Sequence, residues 1–304
     1  MNRFWITGLV PATFTPMYDD GSLNLAQVGA IVDHLVARGV SALFACGSTG
    51  ESASMTTAER QATLEAHCTA AAGRIPIIAH VGHTALADAR ALAAHAQQTG
   101  AAAIAALPPF YFKPATVATL VACMAEIAAA APDLPFYYYH IPGLTGVNLD
   151  MVEFLRQGEQ RIPTLAGIKY SSPTLYEFQA CANYAGGRFN LLFGVDEMLL
   201  SGMAAGAHGA VGSTYNFAAP LYQAILRAYA AGEMAEAQRL QLLSAQMVLK
   251  VIGSYRPLPG LKTMMGFAGV ECGPTRLPHV AFTPAESAAL HADLTEMGFL
   301  EWLR

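Results

Sequence analysis

The chain has 304 residues, of which 54% are hydrophobic and only 13% are charged, and its formal net charge is −5. Without a cluster of basic residues, this acidic balance argues against nucleic-acid binding. No apolar run approaches the length needed to cross a bilayer, because Gly, Pro or a polar residue interrupts each one. The sparse charge also predicts an apolar surface that is buried between subunits.

The start of the chain and its cysteines indicate where the protein works. The first residues lead directly into a predicted strand and lack the layout of a signal peptide. The five cysteines are odd in number, widely spaced and without a Cys-x-x-Cys pair, which is typical of reduced thiols. The nine histidines, His80 and His83 included, form no convincing ligand pattern. We therefore expect a cytoplasmic protein that needs no metal.

Short apolar runs alternate with amphipathic, alanine-rich segments about eight times along the chain. The predicted strands are 8–15, 42–47, 76–81, 101–107, 135–141, 165–170, 190–194 and 209–213. The predicted helices between them include 25–38, 57–72, 86–99, 116–130, 174–184 and 197–205. Ser, Thr, Asp or Asn often stands at their starts. Glycine stands at or just after several ends (Gly39, Gly73, Gly100 and Gly206), as helix capping predicts.

Eight strands, each followed by a helix, predict an α/β fold, a (β/α)8 TIM barrel over residues 1–231. A doubly wound open sheet is the alternative, but no Gly-x-Gly-x-x-Gly or Gly-Lys-Ser/Thr loop supports a usual nucleotide site. After Gly232 the pattern is purely helical, with 235–252 as the longest segment and 284–298 as the last. We interpret 232–304 as a C-terminal helical extension packed on the barrel, so that residues 1–304 form a single domain.

Lys169 is one of only four lysines in the chain, and it stands inside the apolar run 165–170. A buried ammonium group is costly unless it is paired. A lysine in such a strand therefore tends to lose its proton and become a nucleophilic amine, as a Schiff-base enzyme requires. For the strand alone, a snorkelling or ion-paired structural lysine is the alternative.

Five predicted strand ends carry polar residues, and in a parallel barrel these ends meet at one mouth. The run 47–52 is either an ordinary turn or a loop whose amides and hydroxyls hold a carboxylate. Tyr139 lies near the end of its strand, where a phenol can relay protons. Asp196 and Glu197 are either a helix cap with a first-turn acid or acceptors for a polyhydroxylated substrate. Together with Lys169, this convergence favours a functional site.

Four runs, taken together, resemble the class I pyruvate aldolases, the superfamily of N-acetylneuraminate lyase and dihydrodipicolinate synthase. They are 47–51, 139–142, 167–169 and 212–214, and their order and spacing fit along essentially the whole chain. Within the superfamily, the segments 136–142, 144–147, 193–197 and 209–216 are most similar to the N-acetylneuraminate lyases, particularly the animal forms. Leu144 stands where the synthases have an arginine that binds a substrate carboxylate, which argues against the synthase reaction.

The resemblance implies a Schiff-base aldolase that cleaves N-acetylneuraminate reversibly to N-acetyl-D-mannosamine and pyruvate. It also implies that the enzyme needs no cofactor, that a covalent imine forms on Lys169 and that the protein is a homotetramer. Ser48 and Thr49 would then hold the pyruvate carboxylate, and Tyr139 would relay the proton from the sugar. Family positions that contact the sugar hydroxyls are matched by Ser171, Gly194, Asp196, Glu197, Gly212 and Ser213. Tyr111 matches a catalytic tyrosine that a neighbouring subunit can contribute.

Two other functions stay open. One is a related pyruvate-dependent enzyme that acts on another 2-oxo acid. Examples are an aldolase for 2-keto-3-deoxy sugar acids, an aromatic hydratase-aldolase and an enzyme like dihydrodipicolinate synthase. The other is a non-catalytic sensor that binds a 2-oxo acid or sialic acid, although a sensor has no need of an imine-forming amine. Selectivity for hydroxylated substrates tests the first alternative, and pyruvate release tests the second.

Overall fold

The computed structural model describes residues 4–303, and a ring of eight parallel strands forms its centre. The strands are β1 (Gly8–Pro11), β2 (Leu43–Ala45), β3 (Ile77–His80), β4 (Ala103–Ala106), β5 (Phe136–His140), β6 (Leu165–Tyr170), β7 (Asn190–Phe193) and β8 (Gly209–Gly212). From β2 to β8 each strand pairs with the next in the chain, and β8 pairs with β1. A parallel bridge between Ala12 and Phe44 joins β1 to β2. The predicted (β/α)8 TIM barrel is confirmed.

Helices surround the ring and continue beyond it. They are α1 (Val28–Ala37), α2 (Thr57–Ala71), α3 (Leu86–Thr99), α4 (Val117–Ala129), α5 (Pro142–Thr145), α6 (Met151–Arg161), α7 (Leu175–Asn183), α8 (Leu199–Ala204), α9 (Tyr215–Ala230), α10 (Met234–Ser254), α11 (Pro257–Phe267) and α12 (Pro284–Glu296). Short 3-10 helices precede α1 at Leu25–Gln27 and α8 at Asp196–Met198. Three more lie at Ser52–Ser54, Tyr184–Gly186 and Phe299–Leu303. No helix in residues 4–303 has both the length and the apolar character of a membrane span.

The predicted elements are close to those observed. β6 has the predicted bounds, and the other strands are shorter at one or both ends, because the parallel ladder stops where the chain turns towards the next helix. The prediction gave no bounds for α5, α6, α9 and α11. Helix α11 begins with Pro257 and Pro259, which resemble helix breakers in the sequence but are tolerated in a first turn.

Two layers of apolar side chains pack on opposite faces of the strands. One fills the barrel and includes Val10, Tyr137 and Leu192, and the other lies between the strands and the helices. Alternation along β5 therefore directs Tyr139 to the inside and Tyr138 to the helices. Gly167 allows β6 to approach β7 closely, because a Cβ there would collide with the carbonyl of Asn190.

The helices after β8 reach the carboxyl ends of the strands. Helix α10 packs against α8, α9 and the 3-10 helix at Asp196–Met198, and α11 packs against both α9 and α10. Val251 in α10 and Leu261 in α11 thereby line the cavity at this end of the barrel. The C-terminal helices therefore form part of the functional face.

Candidate active site

A cavity of about 450 Å³ opens at the carboxyl ends of the strands. Every predicted site residue except Tyr111 lines it, and these residues are Ser48, Thr49, Tyr139, Lys169, Ser171, Gly194, Asp196, Glu197, Gly212 and Ser213. They come from the ends of β5, β6, β7 and β8 and from the loop after β2. The barrel thus brings together groups that are up to 165 positions apart in the chain.

Lys169 lies inside the barrel and is only 4% exposed. Its register partner on the neighbouring strand is Tyr139. The Nζ atom lies 4.0 Å from the centre of the Tyr139 ring and 4.1 Å from that of Phe44. Within residues 4–303, no carboxylate oxygen lies within 4.0 Å of this nitrogen. Aromatic faces therefore hold the amine at the cavity, and no ion pair competes for it.

Tyr139 connects the lysine to the loop after β2. Its hydroxyl oxygen lies 3.4 Å from Ser48 Oγ, and either group can donate the proton. The ring is packed edge-on against His80 at 5.7 Å between ring centres. Burial, followed by the nearby Arg60 guanidinium, lowers the pKa of His80 well below its ordinary value. Tyr139 therefore stands between an amine, a hydroxyl and a neutral imidazole.

Phe44 and His80 were not predicted as parts of the site. Both lie in short apolar strands, where sequence gives them the ordinary interpretation of core residues. The only available signal was the alternation of strand faces, which places them inside the barrel with Tyr139.

Asp196 is buried at the end of β7 and is held by the loop after β8. Its Oδ2 atom accepts hydrogen bonds from Thr214 N at 2.9 Å and from Thr214 Oγ1 at 2.6 Å. Its Oδ1 atom occupies the space that a Cβ at position 212 would need, which explains Gly212. Burial raises the pKa of Asp196, against the hydrogen bonds from Thr214 and the charge of Lys169. Asp196 thus fixes the relative positions of two strand ends.

Glu197 differs from its neighbour because it is only partly buried, and its carboxylate bonds to no other side chain between residues 4 and 303. Burial also raises its pKa, and the nearby Asp196 carboxylate adds to the increase. Of the two acids, Glu197 is the one whose carboxylate oxygens are free to accept hydrogen bonds from a ligand.

An apolar part of the cavity wall comes largely from the C-terminal helices. It comprises Met198, Val248, Val251, Ile252, Pro257 and Leu261. No sequence pattern predicts this wall, because α10 and α11 follow the last strand by many residues and lie over the mouth only after folding.

Tyr111 lies in the loop after β4, where its side chain is 75% exposed and its ring contacts Phe112 edge-on at 5.0 Å. It does not line the cavity of its own chain. Its role in a neighbouring subunit stays a prediction. Leu144 lies in α5 and also falls outside this cavity. No three His, Cys, Asp or Glu side chains in residues 4–303 are grouped as a metal site.

The fold and the cavity define a parallel (β/α)8 barrel with a buried lysine at its mouth. The model of the dihydrodipicolinate synthetase family matches residues 5–297, and the chain belongs to that family. It is 40% identical to the N-acetylneuraminate lyase of Xenopus tropicalis over 276 residues, which cover 90% of each chain. The human N-acetylneuraminate lyase is 38% identical over 301 residues, covering 98% of this chain and 94% of the human one. The solved structure of Proteus mirabilis N-acetylneuraminate lyase superposes with a TM-score of 0.94 at 35% identity, over 97% of this chain and 100% of that one.

Proposed function

We propose that the protein cleaves N-acetylneuraminate to pyruvate and N-acetyl-D-mannosamine through an imine on Lys169. The strongest support is the position of Lys169, which is buried at the cavity between two aromatic rings and has no carboxylate partner in residues 4–303. A structural lysine at 4% exposure needs a counter-charge, whereas a nucleophilic amine needs access to its substrate. The similarity to N-acetylneuraminate lyases supports the choice of substrate.

In the first step, the Lys169 amine attacks the C2 ketone of the open-chain sugar acid. The carbonyl oxygen leaves as water, and a protonated imine forms. Ser48 and Thr49, which both line the cavity, hold the substrate carboxylate through their hydroxyls and the amides of their turn. They thereby keep the ketone carbon next to the amine.

In the second step, the C4 hydroxyl loses its proton and the C3–C4 bond breaks. The bonding electrons pass into the imine to give an enamine, and C4 becomes the aldehyde of the released sugar. Tyr139 relays the proton through its hydroxyl, which lies beside Ser48. Protonation of the enamine at C3 and hydrolysis then release pyruvate and restore the amine.

The sugar chain lies along the ends of β6, β7 and β8, where Ser171, Glu197 and Ser213 line the cavity. Glu197 accepts hydrogen bonds from the terminal hydroxyls, since its carboxylate has no other side-chain partner in the described chain. Asp196 acts through the framework that it forms with Thr214, together with the close approach at Gly194 and Gly212.

Trapping the imine tests the proposal directly. Borohydride added with pyruvate should attach a reduced pyruvyl group to Lys169, and peptide mass spectrometry should locate it. Lys169→Ala should fold and take up no adduct. An adduct at another lysine, or normal cleavage by the variant, would show that the mechanism is wrong.

The substrate is tested with a panel of sialic acids and shorter 2-keto-3-deoxy sugar acids in a pyruvate-release assay. Glu197→Gln should lower kcat/KM for N-acetylneuraminate by about tenfold, since one hydrogen bond to a charged group is lost. Turnover of the shorter acids should change little. An equal effect on every substrate would favour a less hydroxylated natural substrate.

We also propose that the protein is a cytoplasmic homotetramer. Large apolar side chains on the surface support association, among them Phe112 at 85% exposed and Tyr176 at 81%. All five cysteines are free, which agrees with a reducing compartment. Light scattering coupled to size exclusion measures the assembly, and a monomer at working concentration would contradict it.

A further inference from the structure

The loop after β2 carries Ser48 and Thr49, and it is buried except at Ser48 and Thr49 themselves, with Thr15 Oγ1 donating to the carbonyl of Gly50 at 2.7 Å. On one side Ser48 borders the cavity that contains Lys169, and on the other it borders a second cavity of about 490 Å³. Interior side chains are normally held by close packing on all sides. Ser48 borders cavities on two sides and therefore depends on the rest of its loop for its position.

Glu51, in the same loop, has strained backbone geometry and a buried side chain. Its φ of 58° and ψ of 30° lie in the left-handed region, which few non-glycine residues adopt. The turn closes on itself, since Glu51 N donates to the carbonyl of Ser48 at 3.0 Å. The contacts of the Glu51 side chain therefore act on the same turn that carries Ser48.

The Glu51 carboxylate bonds to two distant parts of the chain. Lys262 Nζ, in α11, lies 2.9 Å from Oε1, and both side chains are 1% exposed. The backbone N–H of Arg276 donates to Oε2 at 2.8 Å. Lys262 also donates to the carbonyl of Pro274 at 2.7 Å. One carboxylate thus connects the loop to α11 and to the segment that follows it.

The same connection reaches the apolar wall of the cavity. Leu261, next to Lys262 in α11, lines the same cavity as the polar strand ends. Burial lowers the pKa of Lys262 even though Glu51 opposes this effect, so the buried pair is retained against a desolvation cost. A buried pair retained despite this desolvation cost is better explained by a role in positioning the loop than by a net gain in stability.

We propose that Glu51 and Lys262 form a positioning pair, which fixes Ser48 and Thr49 opposite Lys169 and connects that loop to the α11 wall. The inference rests on the proposed imine chemistry and adds two residues that do not touch the substrate. Without the pair, the carboxylate-binding turn shifts relative to the amine, and a displacement of about 1 Å in an active site can cost about 100-fold.

The test measures how much pyruvate half-saturates borohydride trapping at Lys169. In Glu51→Gln this concentration should rise by about 10- to 100-fold, because the charged tie to α11 is lost. Thermal stability should also fall, because the Lys262 ammonium is left without its counter-ion. The double variant Glu51→Gln/Lys262→Met removes that charge and should recover thermal stability, while trapping stays weak.

Glu159→Gln is the matched control, since Glu159 also bonds to two partners, Tyr184 and Arg188, but lies outside the cavity. It should lower thermal stability and leave the half-saturating concentration unchanged. If the double variant has the half-saturating pyruvate concentration of the wild-type protein, the positioning role is overturned. It is also overturned if this concentration rises in Glu159→Gln. If Glu51→Gln fails to fold, the double variant decides.

Failure of the proposed function gives a different result. If the wild-type protein is trapped by pyruvate but does not cleave N-acetylneuraminate, the substrate is wrong, and the comparison of half-saturating concentrations still decides the positioning role. If the wild-type protein is not trapped at all, both proposals fall.

Discussion

Two buried lysines lie near the same end of the barrel, and their surroundings differ. Lys262 makes an ion pair with Glu51 and donates to a backbone carbonyl. Lys169 rests against two ring faces and has no carboxylate within 4.0 Å in residues 4–303. Lys262 lies outside the cavity, whereas Lys169 lines it. Burial alone therefore does not identify a reactive lysine; the absence of a counter-ion and access to a cavity do.

The comparison also separates two uses of a positive charge. The ammonium of Lys262 is neutralised by an acid and fixes a loop, so its environment stabilises one geometry. The environment of Lys169 provides cation–π contacts, which position an amine without consuming it in an ion pair. Methionine at each position gives a side chain of similar length without charge. Lys169→Met should lose activity, whereas Lys262→Met should lose stability.

Lys169→Met should give the largest effect, and the effect should fall on activity. Pyruvate release should drop by at least about 1,000-fold, because no other side chain can form the imine. The free energy of unfolding should be unchanged or higher, since Lys169 forms no ion pair in residues 4–303. Steady-state assays and urea denaturation measure the two quantities, with Lys250→Met on the surface as the control. A large loss of stability would remove the contrast with Lys262.

Lys262→Met should mainly lower the free energy of unfolding. The Glu51 carboxylate would be left buried with only the Arg276 amide, and removal of one partner from a buried ion pair typically costs about 3–5 kcal/mol. Lys250→Met breaks an ion pair with Asp293 that is 37% and 27% exposed and should cost less than about 1 kcal/mol. Chemical denaturation measures both. Equal losses would mean that the Glu51 pair is no more than an ordinary surface contact.

Tyr139→Phe separates the ring from the hydroxyl. The ring face against Lys169 is kept, so the fold should be retained, while kcat should fall by about 100-fold through loss of the proton relay. Tyr138→Phe is the control on the other face of the strand. Its hydroxyl is buried without a partner in the described chain, so its removal should raise stability by about 1 kcal/mol and leave kcat unchanged. Equal loss of activity in both variants would contradict the relay.

The sequence predicted the barrel and most of the cavity because both depend on local signals. Strand and helix periods fix the order of elements, and polar residues at strand ends then meet at one mouth. The pair of Glu51 and Lys262 spans 211 positions, and no local pattern relates them. Phe44 was missed because an aromatic residue that holds an amine looks like any core residue. Sequence thus identifies the groups that react more readily than those that hold them.

His140 is a buried base that has no acidic partner in the described residues and does not line the active-site cavity. It follows Tyr139 on β5 but points towards the helices, and both ring nitrogens are buried without partners in the described residues. Burial lowers its pKa from 6.5 to about 4. Between those values the unfolded chain binds a proton that the folded chain does not, so stability falls as pH falls below 6.5. From pH 7 to pH 5 His140 should contribute about 2 kcal/mol to this loss. His140→Phe keeps the ring contact with Tyr170 and should remove this contribution, as denaturation at the two pH values would show. An unchanged pH dependence in the variant would mean that other groups control stability in this range.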